Sequence, residues 1–376
     1  MAEIIFAHAS AGAGHQKAAE ALYNYFIGHP CAYQLQLLDV LSGVDPFYRF
    51  SYTRGYPFLI NHALFLWRFG FWLTSLKRFE GAVQNFTLFA NRFNTSKFAD
   101  VVIRHDPEYV VSTHFLTSQV CCDLKKHNRI RSKLITVVTD FDVHPFWVND
   151  STHLYIVASE FTRERLKTQG IDESKIFVYG IPVDPKFLCA HDKDSLRKKF
   201  SLKSDMHTVL VITGSFGLGP LEEITDLLRE EAQVLVVCAR NRKLYSRLVS
   251  KNYPSVKVFG FINNVEELMS VADIIVTKPG GMTIAEVLTM ELVPIFISPI
   301  PGQETGNISA MAHYGIGSVA KNPHDALRIV REYKNNPEKL RFVKERIQKI
   351  KKPFAAMELY NEICKGSSRA SGRRAF

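Results

Sequence analysis

His15 is the first residue whose type and setting ask for a chemical role. It follows Gly12 and Gly14 in ASAGAGHQKAAEAL (9–22), directly behind the strand-like run IIFAH. A glycine turn between a strand and a helix lets backbone N–H groups approach a ligand closely. Three chemistries compete for such a turn: dinucleotide binding, phosphate binding, or presentation of the imidazole to a substrate. The dinucleotide fingerprint needs a third glycine where Lys17 stands, and the phosphate loop needs a Gly-Lys-Ser/Thr ending that is absent. A surface histidine on an ordinary tight turn is the alternative to presentation. Unperturbed imidazole titrates near pH 6.5, so part of it is neutral and able to take a proton at pH 7.

Further candidates follow the later strand-like runs. VITGSFGLGPLEE (211–223) places Gly214, Ser215, Gly217 and Gly219 ahead of Pro220, a residue suited to the first helical position. A glycine turn feeding a helix N-terminus is an anion-binding arrangement, or else a plain connecting loop. In DIIVTKPGGMTIAEVL, Gly280 and Gly281 again separate a strand from a helix. Thr283 and Glu286 have the spacing of a capping box, and a carboxylate there is also able to accept hydrogen bonds from ribose hydroxyls. PIPGQETGN then brings Gln303, Glu304 and Asn307 together, a set that suits a polyhydroxylated ligand better than a phosphate. VTDFDVHPFWV (138–148) adds Asp140 and His144. Asp140 either caps a turn, orients His15 or serves as the base itself.

The elements that must position these residues read as two successive α/β units. The chain has 376 residues, 46% hydrophobic and 22% charged, enough for two ordinary domains. EIIFAH, QLQLLDV, YVVST, KLITVVTD, LYIVAS and KIFVYG alternate with helical patterns, as do TVLVIT, AQVLVVC, SVKVFG, DIIVT and VPIFIS. Such alternation implies parallel sheets covered on both faces. Gly28 suits the C′ position that ends the first helix. The expected divisions are an acceptor and membrane-binding domain over 1–187 and a charged linker over 188–206. A donor-binding domain over 207–352, a helix over 353–365 and a disordered basic tail over 366–376 follow. Ligands of doubly wound sheets bind beyond the carboxyl ends of the strands, where all the candidates fall.

Composition narrows the partners. The six cysteines form no C-x-x-C pair, so reduced thiols are expected rather than a zinc site or a disulfide framework. The opening MAEIIFAHAS has an early acid and too short an apolar run for a signal peptide. The net charge of +10 admits nucleic acid, anionic membranes or anionic small molecules. Between Phe47 and Phe93 there are 15 aromatic and six basic residues against one acid, Glu80. Trp67, Arg68, Phe71 and Trp72 lie at the centre of this segment. It reads either as an interfacial element with aromatic anchors and basic groups toward anionic head groups, or as a buried aromatic core with a basic outer face.

The motifs TKPGGMTIAEVL and PIPGQETGN resemble the nucleotide-sugar-binding half of the MurG-like glycosyltransferases. AGAGHQKAAEAL, VTDFDVHPFWV, GIPVDPKF, VCARN and GFINNVEELM resemble, in the same order, the lipid branch of that family. This branch comprises processive diacylglycerol glucosyltransferases and monogalactosyldiacylglycerol synthases. The resemblance runs from about residue 4 to residue 310. It implies an α/β fold of the GT-B type, two doubly wound Rossmann-like domains facing a cleft.

By resemblance, the Gly214–Ser215 loop and the Gly280–Gly281 turn hold the diphosphate of a UDP-sugar. Phe261 and Ile262 meet uracil, Thr283 and Glu286 belong to the ribose side, and Gln303, Glu304 and Asn307 belong to the sugar side. Gly14, His15 and His144 fall on the acceptor side. Asp184 departs from the basic residue that many relatives carry after the Pro-Val/Ile pair. The implied activity is inverting transfer of a hexose from UDP-glucose or UDP-galactose to diacylglycerol, with His15 or Asp140 as base. The alternatives are transfer to a polyprenyl-linked acceptor, epimerisation of a UDP-sugar on the same fold, and non-enzymatic sensing of a sugar nucleotide. No D-x-D cluster stands among the glycine-rich motifs, DFD (140–142) being in the acceptor half, so no cofactor and no essential metal are expected. An anionic membrane surface is the expected partner rather than nucleic acid. The expected location is cytoplasmic, peripheral on the inner face of a membrane.

Overall fold

A computed structural model describes residues 2–10, 12–45, 49–50, 65 and 94–365. Trp67, Arg68, Phe71 and Trp72, and the tail 366–376, lie outside the described residues. The chain divides into two compact units: 1–185 with 301–306 and 352–376, and 186–300 with 307–351.

Among the described residues the first unit is built on a sheet of six strands: β1 (Glu3–His8), β2 (Gln34–Asp39), β3 (Tyr109–Ser112), β4 (Lys133–Val137), β5 (Leu154–Ile156) and β6 (Ile176–Phe177). Their order is β2-β1-β3-β4-β5-β6, with every pair parallel. Every residue of β1 is buried. Because side chains alternate across a strand, Ile5 and Ala7 enter one hydrophobic cluster and Ile4 and Phe6 another. The helices of this unit begin with α1 (Ala13–Ile27), followed by α2 (Ser96–His105), α3 (Phe115–Lys126) and α4 (Glu160–Thr168).

The second unit repeats the plan with β7 (Thr208–Ile212), β8 (Gln233–Val237), β9 (Val256–Phe259), β10 (Ile274–Thr277), β11 (Val293–Ile297) and β12 (Ser318–Ala320). The order is β12-β11-β10-β7-β8-β9, again parallel. Winding therefore reverses between β1 and β3 in the first sheet and between β7 and β10 in the second. Ligands of open α/β sheets bind at such reversals, beyond the carboxyl ends of the strands.

Two expectations are corrected, the linker and the glycine that ends α1. The stretch expected as a linker carries α5 (Lys193–Lys199), and residues from Lys186 onward cluster with the second unit. Asp192 caps α5 by accepting from the N–H groups of Asp194 and Ser195, and Lys199 pairs with Glu267. A charged run thus folds as a short, capped surface helix. The helix expected at 353–365 is Ala355–Tyr360 continued by a π turn over Asn361–Lys365. It belongs to the first unit, where Ala356, Leu359 and Ile363 share a core with Leu22 and Phe26. Gly28 keeps right-handed geometry at φ −74° and donates its N–H to Asn24, so it is not a left-handed C′ glycine.

Candidate active site

In the first unit the site forms at the reversal between β1 and β3. Gly12 is the N-cap of α1, with extended backbone and no side-chain cap bond. Gly14 is the second helical residue and His15 the third, which puts the imidazole beside the residues that leave β3. His15 Nδ1 lies 2.9 Å from the backbone oxygen of Thr113 and 2.8 Å from Thr139 Oγ1. The Thr113 hydroxyl donates back to the backbone oxygen of His15 at 2.8 Å. A carbonyl oxygen only accepts, so Nδ1 carries the ring proton and Nε2 carries the lone pair. No described residue bonds that Nε2.

His15 keeps part of its surface exposed, yet crowding around the ring dominates its titration. Burial pushes its pKa down to about 4, against the Thr113 carbonyl, which raises it, while His8 lowers it further. The ring edge meets His114 at 4.4 Å between centroids, and Trp147 lies 6.3 Å away. His114 is buried, accepts from the N–H of Leu116 at Nδ1 and is held well below its ordinary pKa by burial. Burial thus favours the neutral imidazole of His15 near pH 7. The expectation of an imidazole poised near pH 6.5 is corrected by this packing.

Asp140 is buried, but it forms no hydrogen bond or ion pair with His15. Its two carboxylate oxygens accept from Gln303 Nε2 at 3.1 and 3.0 Å. Gln303 belongs with the first unit and opens the helix Gln303–His313, with buried Glu304 beside it. The structure thus sets Gln303, expected on sugar hydroxyls, with its amide nitrogen on Asp140. His144 precedes the 3-10 turn Pro145–Trp147 and caps it, accepting from the Phe146 N–H, and burial lowers its pKa to about 4.

In the second unit the loops that follow β7 and β10 flank the reversal. Gly214 is left-handed at φ +77°, and a Cβ there would meet nothing within 4 Å. Gly217, at φ +59°, has no such room: a Cβ would fall 2.2 Å from the Cys238 oxygen. Asn241 donates to the Gly217 oxygen at 3.1 Å and caps the helix Arg242–Ser250. The glycine loop is thereby pinned at one end and open at the other. Phe261 is 57% exposed, with the Arg240 guanidinium 5.5 Å from its ring centre, and Ile262 follows it.

Gly280 is the N-cap of the helix Gly281–Thr289, without a side-chain cap bond. Thr283 is the third helical residue and buried Glu286 lies in the second turn. The capping-box reading of that pair fails, because the cap position is occupied by a glycine. Asn307 is fully buried and donates to the Pro279 oxygen at 3.0 Å, so it fixes the Pro279–Gly280–Gly281 turn. Sequence reasoning missed Thr113, His114 and Thr139. Their signal was position, since Thr113 and Thr139 follow closely on the ends of β3 and β4.

The chain is similar to known proteins in both sequence and fold. Residues 15–183 match the family profile of monogalactosyldiacylglycerol (MGDG) synthase, and residues 208–355 match the glycosyltransferase family 28 C-terminal domain. A probable monogalactosyldiacylglycerol synthase 2 of Oryza sativa subsp. indica is 32% identical over 94% of this chain and 78% of its own. Monogalactosyldiacylglycerol synthase 2 of Arabidopsis thaliana is 30% identical over the same shares. Among solved structures, Acinetobacter baumannii MurG superposes with a TM-score of 0.59 at 13% identity, covering 97% of this chain and 100% of MurG. A UDP-GlcNAc 2-epimerase from Neisseria meningitidis gives 0.62 at 13% identity, covering 96% of this chain and 100% of its own. These likenesses assign the fold to the two-domain, Rossmann-like GT-B type.

Proposed function

We propose, from the premise that this chain belongs to the monogalactosyldiacylglycerol synthase family, that it moves a hexose from a UDP-sugar to diacylglycerol. The observation that carries this reading is His15, fixed at the reversal of the first sheet with its Nε2 unbonded by any described residue. In the proposed reaction the acceptor hydroxyl gives its proton to Nε2 while its oxygen attacks the anomeric carbon. The bond from that carbon to the phosphate oxygen breaks, the configuration inverts and UDP departs. General-base catalysis of this kind contributes about 10²–10⁴-fold.

The second unit supplies the donor site in this reading. Backbone N–H groups of the Gly214–Ser215 loop and the helix start at Gly281 meet the charge that develops on the diphosphate. Phe261 and Ile262 face uracil and Glu286 takes the ribose hydroxyls. Charge stabilisation by backbone groups asks for no essential metal or other cofactor. The acceptor lies in a membrane, and the aromatic and basic segment around Trp67, Arg68, Phe71 and Trp72 is proposed to hold the protein peripherally on an anionic surface. No helix among the described residues is long and apolar enough to cross a membrane.

The donor hexose is glucose or galactose, and the names of the sequence relatives favour galactose. The test is product analysis with vesicles of diacylglycerol and an anionic phospholipid, supplied with UDP-glucose or UDP-galactose. A hexosyl-diacylglycerol, seen by thin-layer and mass analysis, is the expected product. Interconversion of UDP-sugars without any glycolipid would favour the epimerase reading. Transfer confined to a polyprenyl-linked acceptor would favour the MurG-like one.

A further inference from the structure

We propose that His15 is held for catalysis by two threonines in place of a carboxylate, with Thr139 as its positioning residue. This rests on His15 being the base. Histidine bases are commonly oriented by an acid at Nδ1. Here the nearby acid, Asp140, is engaged by Gln303 and is no partner of His15. The groups around the ring are His8 at the end of β1, Thr113 and His114 after β3, Thr139 after β4, and Trp147. Burial lowers the pKa of His8, against Asp39 and Glu20, which raise it.

The two threonines act on different parts of His15. The Thr113 carbonyl fixes the Nδ1–H tautomer, and the Thr113 hydroxyl donates to the backbone oxygen of His15, tying the first turn of α1 to the end of β3. Thr139 Oγ1, 2.8 Å from the same Nδ1, is a second acceptor for its proton. Thr139 is buried, so no solvent competes for that bond. The ring is thereby constrained from two directions and Nε2 keeps one aim. A hydroxyl orients the ring as an acid would, but without a charge that raises its basicity.

The test compares Thr139→Val, which keeps the shape and removes the hydroxyl, with Thr139→Ser, which restores it. Valine is expected to lower kcat on diacylglycerol about tenfold, the worth of one well-placed hydrogen bond. The KM for UDP-hexose should stay at the parent value, and serine should recover most of the rate. A parent-like valine variant overturns the inference, as does a serine variant as slow as valine. A second measurement needs no variant at Thr139. The ¹⁵N spectrum of histidine-labelled protein, with His15 assigned by its loss in His15→Gln, should show the Nδ1–H tautomer. The Nε2–H tautomer overturns the inference even if the valine variant fails to fold. A His15→Gln enzyme as fast as the parent would instead overturn the base assignment itself, so the two failures are distinguishable.

Discussion

Gln303 Nε2 donates to both carboxylate oxygens of Asp140, at 3.1 and 3.0 Å. In the proposed reaction His15 is the base, and Asp140 is the acceptor that holds Gln303. A buried carboxylate that accepts from an amide is held in place and its lone pairs are partly engaged. Its role in this account is to anchor Gln303 at the start of the helix Gln303–His313.

Asp140→Asn is accordingly expected to slow turnover by about tenfold or less, since an amide keeps one acceptor for Gln303. Steady-state kinetics with UDP-hexose and diacylglycerol check this. A loss of the size expected for removing a base, about 10²–10⁴-fold, would return the base role to Asp140.

The pH dependence follows from the packing of His15. Its pKa is about 4 in the folded chain against 6.5 ordinarily, with burial as the main cause. Nε2 is then available from about pH 6 to 8, so kcat/KM should be flat there and fall only toward pH 4. Stability has the same origin. Between 6.5 and about 4 the unfolded chain takes a proton that the folded chain refuses, so stability falls as pH drops through that window. His144, also near 4, adds to the loss. Melting temperatures and rates across this range test both. An acid limb of kcat/KM near 6.5 would contradict the buried, neutral His15.

Glu286 lies in the second turn of its helix behind a glycine cap, so it has no capping role to lose. Glu286→Gln should weaken UDP binding by about tenfold, roughly 1.4 kcal/mol, with little change in melting temperature. Calorimetry with UDP decides. Unchanged affinity with a lower melting temperature would make Glu286 structural.

Asn307→Ala should act the other way, on the fold first. It leaves the Pro279 oxygen without its buried donor, at a cost of about 1–3 kcal/mol. The melting temperature should drop by several degrees, and UDP should bind more weakly because the Gly280–Gly281 turn loosens. A melting temperature equal to the parent's would show that Asn307 does not hold that turn.

The sheets were legible because buried parallel strands are continuous apolar runs, as in EIIFAH and TVLVI. The three-residue β12 carries too little of that signal. The charged stretch 188–206 read as a linker because a seven-residue surface helix has almost no apolar face, and Asp192 as its cap was the overlooked cue. His15, Gly214 and Gly280 were legible as residues on glycine turns after strands. The clamp on His15 was not, since its partners lie 98 and 124 residues away. Nothing in the local sequence says that two strand-end threonines meet one imidazole. The Thr283–Glu286 spacing misled because Gly280 had already supplied the helix start.

Turnover of His15→Gln tests the central claim most directly. Glutamine keeps a hydrogen-bonding side chain but cannot accept the proton of the attacking hydroxyl. Measured with UDP-hexose and diacylglycerol vesicles, kcat should fall about 10²–10⁴-fold, while calorimetry finds UDP affinity unchanged. A glutamine variant that turns over at the parent rate would contradict the account, for His15 would then do no more than shape the turn it stands on.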